Sequence, residues 1–175
     1  MYRIASPLRN KALAACLALT SALSAAVAQE LSEPAGDVVL TVSGTIGATN
    51  GDGAARFDMD MLQAMPARTL VTTTIWTEGE QTFTGVELHA VLDLLGVENG
   101  EITATAINDY AVSIPVSDAV KDGPIVAYAR NGEPMSVREK GPLWIIYPYD
   151  SSAEYRTETT YARSIWQLDR LTIAD

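Results

Sequence analysis

Leu143-Trp144-Ile145-Ile146-Tyr147 is an unbroken apolar and aromatic run, and Pro148-Tyr149-Asp150 carries the chain from it into a polar region. A short continuous apolar run of this kind, bounded by a turn signal, predicts a buried strand that ends in a loop. Strand ends that feed loops are where ligand sites are commonly built. Beyond Asp150 come Tyr155, Tyr161, Arg163, Ser164 and Trp166, and Trp76 lies at the end of an earlier apolar stretch.

The remaining signals surround that strand. Ile165 to Ile173 alternates as a last strand, and Ile125 to Ala129 reads as a strand ending at the turn Asn131-Gly132. Ile102 to Ile107 and Ala111 to Ile114 form a further pair, separated by Asn108-Asp109, and Pro115 to Val120 suits one helical turn. Leu88, Val91, Leu92 and Leu95 fall at i, i+3, i+4 and i+7, so a helix is expected to open at Gly85 and stop at Gly96. Thr69 to Ile75 is a strand signal. Asp58 can cap a short helix carrying Met61, Leu62 and Met65, halted by Pro66. Asn50-Gly51-Asp52-Gly53 is a turn cluster, not a calcium loop, because Ala48 and Met59 would occupy its outer ligand positions. Val38 to Ile46 reads as the first strand, with Gly44 as a bulge. The pattern predicts one α+β domain over residues 38–175, with mixed β-sheets and few helices.

The N-terminus reads as an address. Arg3, Arg9 and Lys11 precede an uncharged run from Ala12 to Ala28, and Ala26-Val27-Ala28 is a small-x-small cleavage site. Residues 1–28 are thus expected to be a secretory signal peptide and residues 29–37 a flexible arm, which makes the protein periplasmic. Leu13-Ala14-Ala15-Cys16 resembles a lipobox, but only four residues separate Lys11 from Cys16, too few for a full apolar segment.

Charge and composition exclude several classes. With 12 basic and 22 acidic residues the chain carries a formal charge of −10, a poor basis for nucleic-acid binding. One cysteine and one histidine rule out an intramolecular disulfide and zinc sites of the four-cysteine or two-cysteine, two-histidine kind. There is no Ser-x-x-Lys, Gly-x-Ser-x-Gly or Gly-rich phosphate loop. His89, beside the apolar stripe, reads as a boundary residue, and Asp58/Asp60 and Glu78/Glu80 as solvated acids. No nucleophile has a plausible base, so no catalytic residue is assigned and a binding module is expected. Tryptophan and tyrosine can stack on a flat heterocycle, a carboxylate can take two parallel N–H bonds from an aminopyrimidine edge, and an arginine can bind an acceptor edge.

These residues carry a resemblance. Thr82-Phe83-Thr84-Gly85-Val86-Glu87-Leu88, Asn108-Asp109-Tyr110, Asn131-Gly132-Glu133-Pro134-Met135, Gly141-Pro142-Leu143-Trp144-Ile145-Ile146-Tyr147-Pro148 and Arg163-Ser164-Ile165-Trp166 resemble, in order and spacing, the sulfite oxidase-fold molybdopterin-binding oxidoreductase family. The family's enzymes hold molybdenum through a cysteine placed shortly before the Phe-Thr-Gly-Val segment. Here that stretch is Thr72-Thr73-Thr74-Ile75-Trp76, and a neutral hydroxyl is a poor ligand for a high-valent metal. The resemblance therefore points to the small periplasmic members that bind a free pterin without molybdenum. Those present the ligand state to the outer domain of a membrane-bound cyclic-di-GMP cyclase or phosphodiesterase. The alternative it leaves is a molybdopterin-dependent oxidoreductase with an atypical oxygen ligand. The residues it implies for the pterin are Trp76, Tyr110, Tyr147, Tyr149, Arg163, Ser164 and Trp166, with Asp150, or second Asp109, as the carboxylate.

Overall fold

In a computed structural model, residues 1–2 and 31–175 are described; the expected signal peptide and the start of the arm fall outside them. The chain runs β1 (Val38–Gly44), β2 (Ala55–Asp58), α1 (Met59–Ala64), β3 (Ala67–Thr73), β4 (Glu80–Glu87) and α2 (Leu88–Leu94). It continues as β5 (Glu101–Ala106), β6 (Ala111–Pro115), β7 (Ile125–Arg130), β8 (Glu133–Pro134), β9 (Trp144–Ile146), α3 (Glu158–Arg163) and β10 (Leu168–Ala174). The expected α+β class, strand-rich with few helices, is what the chain forms.

Two sheets carry the fold. The first has the order β2-β1-β10-β5-β6; β1 and β10 run parallel and the other neighbours antiparallel. The second has the order β3-β4-β7, and the far edge of β7 is shared between β9 at its start and β8 at its end. Both sheets contribute to one buried cluster, in which Leu40, Phe83, Ile102, Trp144, Ile146 and Leu171 are closed to solvent. Removing such side chains from water, at roughly 25 cal/mol per Å² of apolar area, is the main force holding the sheets together.

Several expectations need correction. Gly85 does not open a helix. It lies in β4, where the register against β7 shifts, and a Cβ there would stand 2.2 Å from the Val126 carbonyl oxygen. The helix begins only at Leu88, and it buries Leu88, Val91 and Leu92 as the periodicity requires. Gly44 is not a bulge but the closing residue of β1, at φ +93 and packed on the Ile173 carbonyl, while the register shift falls between Val38 and Leu40. The last strand starts at Leu168 rather than Ile165, after Gln167 turns through φ +52. β2 and β8 carry no clear sequence signal, and α3 occupies what read as polar loop.

Asp58 caps α1 as expected, but it is buried rather than solvated. Its carboxylate accepts the N–H groups of Met61, Ala35 and Gly36. These bonds hold it below the ordinary aspartate range, the Gly36 bond contributing most. They also fasten residues 35–36 to the body, and the Asn50 amide donates to the Ser32 carbonyl, so the described part of the arm is tied down.

Candidate functional site

Four segments meet at a cleft of about 430 Å³. The β3–β4 loop supplies Ile75 and Trp76, the β5–β6 turn supplies Asn108 and Tyr110, α3 supplies Tyr161, and the link into β10 supplies Ser164 and Trp166. The volume suits one small heterocycle. Trp76 is its hub. The ring centroids of Trp166, Trp144 and Tyr161 lie 5.7, 5.8 and 5.8 Å from its own, all tilted or edge-on. The cleft is thus walled by aromatic surface, on which a flat ligand can stack.

The wall behind these rings is fixed by hydrogen bonds. Ser164 is buried, and its hydroxyl donates to the Thr160 carbonyl at 2.8 Å and accepts from the Tyr149 hydroxyl at 2.6 Å. Its carbonyl accepts the indole N–H of Trp144 at 3.1 Å. Burial pushes the Tyr149 phenol far above its ordinary value, so Tyr149 stays a neutral donor. On the outer side, the Lys140 ammonium lies 4.0 Å from the centroid of the Trp166 ring. Burial, aided by the charge of Arg130, lowers the pKa of this ammonium. A cation on a ring face fixes the indole and takes that face from any ligand.

The structure divides the expected site residues into groups. Trp76, Tyr110, Ser164 and Trp166 line the cleft, and Tyr149 supports it from behind through Ser164. Tyr147 and Arg163 do not reach it. The Tyr147 hydroxyl and the Arg163 guanidinium both donate to Asp118, at 2.9 and 2.8 Å, and all three border a separate polar hollow on the other side of α3. Residues 158–163 form one and a half helical turns, so Arg163 and Tyr161 leave α3 on different faces. Asp109 is exposed at a left-handed turn, φ +65, where it pairs with Arg170.

Asp150 also lies outside the cleft. Its carboxylate accepts the Thr73 N–H, the Thr73 hydroxyl at 3.0 Å and the Thr72 hydroxyl at 3.2 Å. These bonds, the Thr73 N–H above all, lower its pKa. Among the described residues no carboxylate lines the cleft, so neither Asp150 nor Asp109 forms the expected carboxylate clamp there. Asn108, one residue before Asp109, supplies the wall's only side-chain amide, and Tyr161 was visible beforehand only as one more aromatic.

Comparison with known proteins fits this arrangement. The profile of the oxidoreductase molybdopterin binding domain matches residues 39–154. The chain belongs to that family. Among solved structures, the sulfane dehydrogenase SoxCD from Paracoccus pantotrophus has the same fold, at 19% identity and a TM-score of 0.58. The match covers 78% of this chain but 38% of that one, so this family member spans well under half of the SoxCD chain. No curated protein matches the sequence. The family match includes Trp76, Asn108 and Tyr110 and stops before Tyr161, Ser164 and Trp166.

The family's cofactor is a poor fit to these residues. Molybdopterin loaded with molybdenum presents a pterin ring, a metal on its dithiolene sulfurs and a phosphate. The rings of Trp76, Tyr110 and Trp166 suit the first. For the second, the described residues include no cysteine and no cluster of metal-ligating side chains. Thr72 and Thr73, in the stretch where the family places its thiolate, spend their hydroxyls on Asp150. For the third, no Lys or Arg among the described residues lines the cleft; the nearby Arg170 is engaged by Asp109 and Asp169, and Lys140 lies against the Trp166 ring. A buried phosphate without a cation or an N–H partner is strongly disfavoured.

Proposed function

We propose that this chain binds a free pterin without molybdenum, outside the cytoplasm, and acts by conveying ligand occupancy to a membrane-bound signalling protein. The observation that carries the reading is the chemistry of the cleft wall: among the described residues it offers rings, one amide and hydroxyls, with no thiolate, carboxylate or cation. A pterin is flat and uncharged, with donors and acceptors along its edge. Stacking on exposed ring faces provides affinity, and Asn108 with the hydroxyl groups provides orientation.

A binding protein without a catalytic step uses its ligand by changing which partner it favours. Its partner in this reading is the outer domain of a cyclic-di-GMP cyclase or phosphodiesterase. The reading of residues 1–28 as a signal peptide supports the location. A second reading is supported by the family match itself: a molybdopterin oxidoreductase with an oxygen ligand to the metal.

One preparation separates the two. Protein exported by a host able to make the cofactor is purified, its molybdenum is measured, and its acid-released fluorescent compounds are identified. Pterin without molybdenum supports the proposal. Stoichiometric molybdenum with a phosphorylated pterin supports the second reading and removes the first.

A further inference from the structure

The mouth of the cleft carries a feature that ligand binding does not require. Ile75 is 62% exposed, Tyr110 59%, Ile107 46% and Trp166 37%. Ile75, Tyr110 and Trp166 line the cleft, and Ile107 stands between Ala106 and Asn108, which also line it. They come from three separate segments, so no single amphipathic element explains the collar. Lone exposed apolar residues are ordinary, but several around one opening mark a surface that is covered in use.

Charge lies beside the collar. Glu78 is exposed in the loop that carries Ile75 and Trp76, and Glu80 is exposed at the first position of β4; neither carboxylate has a partner among the described residues. An apolar centre with a charged margin is the ordinary anatomy of a protein interface. We propose that this collar is the docking surface for the protein partner, and that the partner presents an apolar face edged with Lys and Arg. A second copy of the chain is a poor occupant. The cation at the collar, Lys140, is held over the Trp166 ring, so a two-fold contact would bring more acidic than basic side chains together, in a chain of net charge −10. An anionic lipid surface is repelled for the same reason.

This inference rests on the partner-dependent reading above and adds a consequence: the partner covers the ligand. Occupancy and docking then become coupled, and each strengthens the other by the same factor.

The test uses the full mature protein. A photo-crosslinking residue at Ile107, or at Gln63 on α1 as control, identifies the neighbour in cells, and the outer domain of that neighbour is purified. It is titrated against the wild type, Ile107→Glu, and Glu78→Lys with Glu80→Lys, with and without biopterin. None of the substituted residues lines the cleft. The expected result is crosslinking from Ile107 and not from Gln63, a loss of roughly tenfold or more in partner affinity for both variants, and unchanged biopterin affinity. Equal crosslinking from both positions, crosslinks only to a second copy or to lipid, or variants that bind the partner like the wild type would overturn the docking surface. Loss of biopterin binding by the wild type would strike the ligand reading instead and leave the docking result standing.

Discussion

Asp150 and Thr73, 77 positions apart in sequence, are joined by two hydrogen bonds: the Asp150 carboxylate accepts both the N–H and the hydroxyl of Thr73. The contact ties the end of β3 to the loop after β9. It occupies the stretch in which the family's enzymes place a metal thiolate.

Asp150→Ala is therefore expected to loosen this junction rather than empty the cleft. The carboxylate is exposed, so the loss is modest, about 1 kcal/mol and a few degrees in Tm. Biopterin affinity should change less than in the cleft variants. The lowered pKa gives the sign of the pH effect: the Asp150 contribution is present above the unfolded aspartate value near 3.8 and is lost as pH falls through the lower folded value. Thermal melts of wild type and Asp150→Asn between pH 2 and pH 7 should converge at the acid end. Curves that stay parallel would show that the carboxylate does not fasten the loop.

Tyr110→Ala is the cleanest probe of the cleft, because Tyr110 is exposed and lines it. Loss of one stacking face should cost about 1–2 kcal/mol of biopterin affinity, roughly 5- to 30-fold, with Tm unchanged. Calorimetric titration of the variant checks both the affinity and the stoichiometry. Equal affinity would place the ligand elsewhere.

Arg163→Ala should do the reverse. It leaves the Asp118 carboxylate, half-buried and hydrogen-bonded to Tyr147, without its cation. The expected cost is about 1–3 kcal/mol in chemical denaturation. Biopterin affinity should fall by less than in Tyr110→Ala. An intact fold with abolished binding would return Arg163 to the ligand site.

Asp169 offers a test of opposite sign. Its Oδ1 is buried without a partner. Burial raises its pKa; Arg170 opposes the shift and Asp109 adds to it. A group whose folded pKa lies above its unfolded value costs stability as pH rises through that window, and the full cost remains at neutral pH. Asp169→Asn should thus raise Tm at pH 7, by up to about 3 °C, and the difference should vanish near pH 3. A lower Tm at pH 7 would mean that the pairing with Arg170 outweighs the burial.

Much of the fold could be read from periodicity. Leu88, Val91, Leu92 and Leu95 announce α2, and the β-branched runs of β1, β3, β5 and β7 announce the sheets. β4 was hidden because Glu80-Gln81-Thr82 opens it with polar residues and Gly85 imitates a helix boundary, although only glycine fits so close to the Val126 carbonyl. α3 was hidden because its sequence, Glu-Thr-Thr-Tyr-Ala-Arg, has no apolar period. The site shows the same division. The aromatic members Trp76, Tyr110 and Trp166 were found because large rings near strand ends are informative by themselves. The charged members were misplaced because Asp150, Asp109 and Arg163 are each engaged by a residue between 45 and 78 positions away, a pairing that only the topology reveals.

The central claim is that this cleft holds a free pterin ring with no metal. Its most direct measurement is titration of the purified, metal-free protein with biopterin, followed by quenching of the fluorescence of Trp76, Trp144 and Trp166. The account predicts saturable binding of one biopterin per chain, weakened in Tyr110→Ala and unaffected by chelator. Absence of saturable quenching, or binding that appears only after molybdate is supplied, would contradict it.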